Sequence, residues 1–197
     1  MIKLLVPLPK HITIALSGGV DSVAAVDFLS RKHDVTCAFF HHGTDNSERA
    51  MDFVTHFCSN RNIPLLFGWN RYVNTPPGLS DEEHWRNERY KFLETLGPVI
   101  TAHHLDDCVE TYLWSSMHGT SKTIPMIRNN VLRPFLTTRK TELVNWCTKH
   151  KVNWIEDTSN DDTTHIRNYV RKELMPHALH INPGLHKVVA KIVEKNL

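Results

Sequence analysis

Five short apolar runs, rich in β-branched and aromatic residues, alternate along the chain with stretches whose apolar residues recur every three or four positions. The runs are His11 to Leu16, Val35 to Phe40, Pro64 to Gly68, Val99 to Ala102 and Val131 to Arg133, and each predicts a short strand. Between them, Val23 to Leu29 predicts a helix packed on a sheet. Ala50, Phe53, Val54, Phe57 and Cys58 predict a second over Asn46 to Arg61. Ser80 or Asp81 caps a third, with Trp85, Phe92, Leu93 and Leu96 on its apolar face, and Gly97-Pro98 stops it. Leu105, Val109, Tyr112, Leu113 and Met117 form the stripe of a fourth, and Arg139 opens a fifth through Leu143, Trp146 and Cys147. A helix from Ile166 is expected to end at Pro176, and Leu185, Val188, Val189, Ile192 and Val193 mark a last amphipathic one. Strands alternating with helices predict an α/β fold, a parallel five-stranded sheet with helices on both faces plus a small helical C-terminal extension.

Composition narrows this picture little. With 197 residues, 41% hydrophobic and 22% charged, the chain has the makings of a soluble domain with a core. A net charge of +2 does not announce a nucleic-acid binder, although 14 histidines make local positive charge pH-sensitive. Cys37, Cys58, Cys108 and Cys147 are widely spaced with no Cys-x-x-Cys, which argues against a zinc ribbon or redox pair and fits a reducing compartment. Met1 to Pro9 is too short, and too interrupted by proline, for a signal peptide or membrane span, so a cytoplasmic protein with no membrane partner is expected. The last helix either covers the core or docks on another chain, a homodimer in the latter case.

The chemistry is concentrated at predicted strand ends. Ser17-Gly18-Gly19-Val20-Asp21-Ser22 lies at the first strand-to-helix turn. Two glycines let backbone approach a ligand closely, and the helix that follows aims unpaired N–H groups and the positive end of its dipole at it. That is a phosphate-binding geometry, with Ser17 and Ser22 as extra donors. Asp21 would repel a phosphate unless a metal ion or cationic group lies between them. The alternative is an ordinary turn in which Asp21 or Ser22 caps the helix. No Gly-Lys-Ser/Thr follows, so this is not the lysine-bearing nucleotide loop.

The fourth strand runs into His103-His104-Leu105-Asp106-Asp107-Cys108-Val109-Glu110-Thr111. Asp106 and Glu110 share a helical face, and carboxylates near a helix start suit its dipole. Simple capping is one reading. Asp21, Asp106 and Asp107 holding Mg²⁺ against phosphates is the other. Arg86 and Arg89 form either a solvated face or an anion clamp, and Arg167 and Arg171 share a later face. In open α/β sheets ligands bind beyond the carboxyl ends of the strands, so the two polar segments are expected to face one crevice.

Ser17–Ser22 resembles the pyrophosphate loop (PP-loop) of the N-type ATP pyrophosphatases. The wider pattern resembles one branch of that superfamily, the tRNA(Ile)-lysidine synthetases, in a short form with the catalytic domain only. It runs through His42-Gly43, Arg86-x-x-Arg89-Tyr90, Thr101-Ala102-His103-His104-x-Asp106-Asp107-x-Val109-Glu110-Thr111, Arg133-Pro134, Arg139, and Trp154-x-Glu156-Asp157-x-Ser159-Asn160 with Arg167-Asn168 and Arg171. Cys108 departs from the family's usual Gln, and His118-Gly119-Thr120-Ser121 lacks the Arg and second Gly of its turn. The resemblance implies a nucleotide-binding domain over residues 1–150, completed by an acidic loop and helical segment over 151–197. No separate C-terminal tRNA-binding domain is expected.

It also implies the reaction. ATP, with Mg²⁺, would adenylate C2 of the wobble cytidine in a CAU-anticodon isoleucine tRNA, and L-lysine would displace AMP. Ser17, Gly18, Gly19, Val20, Asp21 and Ser22 would bind ATP. Asp21, Arg86, Arg89, His104, Asp106, Asp107 and Glu110 would be catalytic, with Asp107, Glu110 or His104 as the base for the amine. Arg133, Arg139, Arg167, Asn168 and Arg171 would hold RNA, and Trp85 or Tyr90 could stack on the splayed base. Three rivals stand beside this reading. One is another adenylating tRNA modification of thiolation or amidation type. The second is a metal-dependent hydrolase built on His103, His104, Asp106 and Asp107. The third is a catalytically dead nucleotide- or RNA-binding module.

Overall fold

The strands β1 (His11–Ala15) and β2 (Asp34–His41) pair in parallel, with Ile12 opposite Val35 and Ile14 opposite Cys37. The structure is a computed structural model that describes residues 1–70, 75–156 and 166–197. On one side of β2 lies β3 (Leu65–Trp69), and beyond β1 come β4 (Val99–Ile100), β6 (Val131–Leu132) and β5 (Ile127–Arg128). Five strands are parallel, as the alternating pattern predicts. The sixth, β5, is an antiparallel edge formed by a hairpin with β6. The chain reverses at Asn129, whose φ of +53° is a conformation asparagine tolerates.

Alternate side chains of the strands feed two cores. Val35, Cys37 and Phe39 face α1 (Val20–Leu29), α2 (Asp45–Ser59) and α5 (Lys140–His150). Ala38, Val99 and Val131 face Leu93, Tyr90, Phe92 and Leu96 on or just beyond α3 (Asp81–Glu94). The helix α1 is apolar nearly all round because it lies between the sheet and α5. Trp146 of α5 donates from Nε1 to Asp27 of α1 at 3.0 Å, fixing that layer.

On the other side, α4 (Leu105–Met117) is covered by α8 (Leu185–Lys195): Leu105, Cys108 and Val109 pack with Leu185, Val189 and Val193. Of the two roles expected for the last helix, covering the fold is the one observed in this chain. The segment before it does not stop at Pro176. The helix α6 (Ile166–Tyr169) passes through a π-helical turn, Val170–Leu174, into α7 (Met175–Ile181). Pro176 is tolerated because it sits in the first turn of α7, where a missing N–H costs least.

Candidate active site

The first half of the site is the turn between β1 and α1. Leu16 still donates to Ala38 O at 2.9 Å, so the sheet holds the chain up to the turn. Ser22 then clasps it from inside. Its Oγ accepts from Ser17 N at 3.1 Å, lies 3.1 Å from Ser17 Oγ, and donates to Gly19 O at 2.9 Å. Ser22 thus shapes the loop, while Ser17 is exposed. Gly18 has φ +87°, and its carbonyl accepts from Ile155 N at 3.0 Å. Gly19 is the N-cap of α1, and no side chain caps that helix. The N–H groups of the helix start are therefore not taken by a side-chain cap, and Asp21 in the first turn faces His104 instead, which leaves those groups to a phosphate.

The second half is the start of α4. His104 is its N-cap: Asp107 N donates to His104 Nδ1 at 3.3 Å, and Asp107 Oδ2 accepts from His104 N at 3.0 Å. This is a capping box with histidine in the usual place of serine or threonine. The cap holds the ring so that Nε2 lies 3.4 Å from Asp21 Oδ2. His104 is 1% exposed. Burial opposes its charge, but Asp107, Asp21 and Asp106 outweigh burial and raise its pKa above the usual histidine value. The two polar segments expected to share a crevice are therefore in contact through Asp21 and His104.

The carboxylates are not equivalent. Asp106 accepts from Lys140 N at 2.7 Å through Oδ2, and its Oδ1 lies 3.1 Å from His186 Nε2. It ties α4 to the start of α5 and to α8. Although burial opposes ionisation, these bonds and His104 bring its pKa down to about 2. Asp107 Oδ1 accepts from Arg167 at 3.0 Å and Arg171 at 3.3 Å. Glu110 takes Arg171 Nε at 2.6 Å and Nη2 at 3.1 Å, with Arg167 Nε at 3.4 Å. Asp21 differs from these, because its Oδ1 is buried and has no hydrogen-bond partner.

These bonds bear on two expectations. The carboxylates expected to hold Mg²⁺ or the lysine ammonium, Asp21 with Asp106 or Asp107, differ in what engages them, since protein donors already reach Asp106 and Asp107. Among the described residues no group of three or more His, Cys, Asp or Glu is arranged to hold a metal ion. A Mg²⁺ ion held by one carboxylate and substrate phosphates needs less, and Asp21 Oδ1 fits that role. The second expectation concerns RNA. Arg133 is 2% exposed and donates to Pro125 O at 2.9 Å and Tyr90 Oη at 3.1 Å. Asn168 is buried too, while Arg167 and Arg171 pair with Asp107 and Glu110. Of the five residues expected on RNA, Arg139, at the N-cap of α5, and Arg167 are exposed.

His103 lies on the other side of His104, with Nδ1 2.8 Å from Thr101 Oγ1. Burial pushes its pKa down to about 3; Asp107 works against this, while Arg133, Arg167 and Arg89 reinforce it. It is a neutral ring at physiological pH. Trp85 is tilted against His42 at 5.9 Å between ring centres, and Tyr90 is ringed by arginines. The exposed aromatic at the strand ends is instead Trp69, stacked on His41 at 4.8 Å. All four cysteines are buried; desolvation raises Cys108 to about 12 and Cys147 to about 11, a poor setting for thiolation chemistry. A groove of about 940 Å³ lined by His11, Asp34 and Arg61 lies at the amino ends of the strands, away from this cluster. Asp157, Ser159 and Asn160 of the acidic loop, and residues 71–74 of the long loop before α3, lie outside the described residues.

Known proteins resemble this chain in sequence and in fold. The chain is 30% identical to the tRNA(Ile)-lysidine synthase of Haemophilus ducreyi over 94% of its own length and 46% of that protein. It is 31% identical to the enzyme of that name from Thermosipho africanus, over 93% of this chain and 47% of the relative. For the Salmonella dublin protein of the same name the identity is 34%, over 85% and 43%. The chain thus spans about half the length of these relatives. Among solved structures, the NH3-dependent NAD synthetase of Campylobacter jejuni superposes with a TM-score of 0.55 at 14% identity, covering 96% of this chain and 86% of that one, a likeness of fold. The profile of the PP-loop domain matches residues 3–178, from before β1 into α7. The glycine turn and the arginines that close on α4 both fall inside that match, and on this extent the chain belongs to the PP-loop domain family.

Proposed function

We propose that this chain carries the catalytic centre of a ligase that attaches lysine to C2 of the wobble cytidine of CAU-anticodon isoleucine tRNA, converting ATP to AMP and pyrophosphate. The observation that carries the reading is the 3.4 Å approach of His104 Nε2 to Asp21 Oδ2, which joins the bare N-terminus of α1 to the acidic start of α4. A phosphate chain at the first and a cationic amine near the second then stand side by side. The three lysidine synthases at 30–34% identity support the choice of acceptor and nucleophile.

In the first step the cytidine C2 oxygen attacks the α-phosphorus and pyrophosphate leaves. The unpaired N–H groups at the start of α1 meet the charge that develops on the leaving phosphates. Asp21 would hold Mg²⁺ there, and the ion would supply further charge neutralisation for the leaving phosphates. In the second step a base of this site, Asp107, Glu110 or His104, takes the proton of the lysine ammonium, and the neutral amine attacks C2 as the C2–O bond breaks and AMP leaves. His104 Nε2, 3.4 Å from Asp21 Oδ2, holds that carboxylate in place. Arg89 acts on His103 and shares the Tyr90 ring with Arg86, and the pair are candidates for the adenylate phosphate or RNA phosphates.

The test is transfer of labelled lysine to a CAU-anticodon isoleucine tRNA transcript with ATP and Mg²⁺. Label in the RNA, dependent on ATP, is expected. ATP cleavage into AMP and pyrophosphate without label in the RNA would remove lysine ligation and leave adenylation of another acceptor.

A further inference from the structure

A second gathering of charge lies beyond His103, at the edge of the sheet. The guanidinium carbons of Arg86 and Arg89 on α3 and Arg128 on β5 stand 5.8, 5.6 and 5.8 Å from the centre of one ring, that of Tyr90. They are therefore within about one Debye length of one another. Arg31, Arg61, Arg167 and Arg171 each face a carboxylate. Arg86, Arg89 and Arg128 have none among the described residues. Three like charges without a counter-charge repel, and the cluster forms only because the backbone holds it.

That scaffold is well made. Asn129 Nδ2 donates to Glu94 Oε1 at 2.7 Å and Asn130 Nδ2 to Leu93 O at 2.7 Å, so the β5–β6 hairpin is bolted to the end of α3. Buried Arg133 spans from Pro125 O to Tyr90 Oη beneath it. Arg128 is thus fixed relative to Arg86 and Arg89 before any ligand arrives. Arg86 and Arg128 are exposed, and Arg89 is half-buried between them and His103.

We propose that Arg128 completes, with Arg86 and Arg89, a clamp for a phosphodiester of the RNA strand that enters the site past His103. The proposal rests on the tRNA reading and extends it to a residue of the edge hairpin. The ligand is RNA rather than the ATP tail because β4 and β6 separate β5 from β1. At the spacing of neighbouring strands that puts the edge about 14 Å from the glycine turn. Planar guanidinium groups suit phosphate oxygens, and exposed ones admit a macromolecule.

The test measures binding of a fluorescent CAU-anticodon isoleucine tRNA transcript to the full chain and to R128Q, R128K and K191Q, with ATP affinity measured alongside. Lys191 is an exposed charge on α8 and serves as the control. For R128Q, tRNA affinity is expected to fall about tenfold near 0.1 M salt, and the log–log salt dependence to lose about one unit of slope. R128K should recover most of the slope, and K191Q should follow the unmodified chain. If R128Q keeps the affinity and slope of an unmodified chain that transfers lysine, the clamp is overturned and the ligation reading stands. Loss of ATP affinity in R128Q with tRNA affinity intact overturns the clamp as well. A chain that binds the transcript through Arg128 but transfers no lysine supports the clamp and counts against ligation alone.

Discussion

Arg171→Ala tests how the acidic half of the site is held. Arg171 makes three charge-assisted bonds, at 2.6 and 3.1 Å to Glu110 and 3.3 Å to Asp107. The Glu110 and Asp107 side chains are 3% and 8% exposed, and Arg171 is 24% exposed. Removing one partner of a buried ion pair costs about 3–5 kcal/mol, mostly because the other is left uncompensated. Arg167 stays, 3.0 Å from Asp107, so the low end applies, about 3 kcal/mol. In a chain of this size that lowers Tm by about 6–12 °C. Arg167→Ala should cost less, about 1 kcal/mol, because that side chain is 45% exposed and water screens it. Urea unfolding at several pH values reads both. Burial works against ionised Asp107, yet His104, Arg167 and His103 hold its folded pKa below the usual carboxylate range. Its contribution is therefore present above about pH 4 and lost as pH falls through the folded value. Without Arg171 the folded value rises toward the unfolded one. The gap between the two proteins should be widest near neutrality and narrow on acidification. A loss under about 1 kcal/mol at pH 7, or a gap that widens toward low pH, would refute the reasoning.

Asp21→Asn should abolish ATP–pyrophosphate exchange dependent on the tRNA while leaving the unfolding transition nearly in place. In the same variant the His104 pKa, followed by NMR, should fall, because Asp21 is one of the groups that raise it. Stability drawn from charged His104 is complete below its unfolded value and fades as pH rises through the folded one, so Asp21→Asn should destabilise more at pH 6 than at pH 9. Gly18→Ala places a side chain at φ +87° and 3.0 Å from Ile155, so ATP affinity measured by calorimetry should drop with a stability loss of about 1–2 kcal/mol. Gly68→Ala would set a Cβ 2.4 Å from Phe92 Cγ, and urea unfolding should show a loss of about 1–3 kcal/mol that Phe92→Ala in the same chain partly offsets.

The parts of the fold that were legible carry their reason locally. The strands around β1 are continuous apolar runs because helices cover both faces, and such runs stand out from their flanks. β5 does not, because Ile127 and Arg128 are both exposed and two residues show no period; the strand exists only through β6. Pro176 reads as a stop until the π-helical turn ahead of it is known. In the site, the glycine turn is local and legible, whereas the sequence points to carboxylates rather than His104 as the cap of α4. The partners of the carboxylates were not. His186 reaches Asp106 from 80 residues away and Arg167 reaches Asp107 from 60, and no spacing rule links such pairs. Cys37 and Cys58 look unrelated in sequence yet are buried in the same core cluster, from β2 and α2.

The two helix starts that meet at Asp21 and His104 are built in opposite ways, and the difference gives the site its polarity. Each helix N-terminus carries about half a positive charge. At α4 that charge is met from within, by Asp107 through the capping box. At α1 no side chain caps the N–H groups, and Asp21 in the first turn faces His104, so those groups stay available to an anion from outside. The cation side follows the same logic in reverse. To take a cation, Asp106 would have to release His186 or Lys140 N, and Asp107 would have to release an arginine or the His104 amide. Asp21 Oδ1 has nothing to release. A buried carboxylate oxygen without a partner is costly, and a cation shared with a phosphate at α1 removes that cost where it arises. The strain of Asp21 and the bareness of α1 are thus relieved together by one phosphate-bearing ligand and its counter-ion, whereas either relieved alone leaves an unbalanced charge in the crevice.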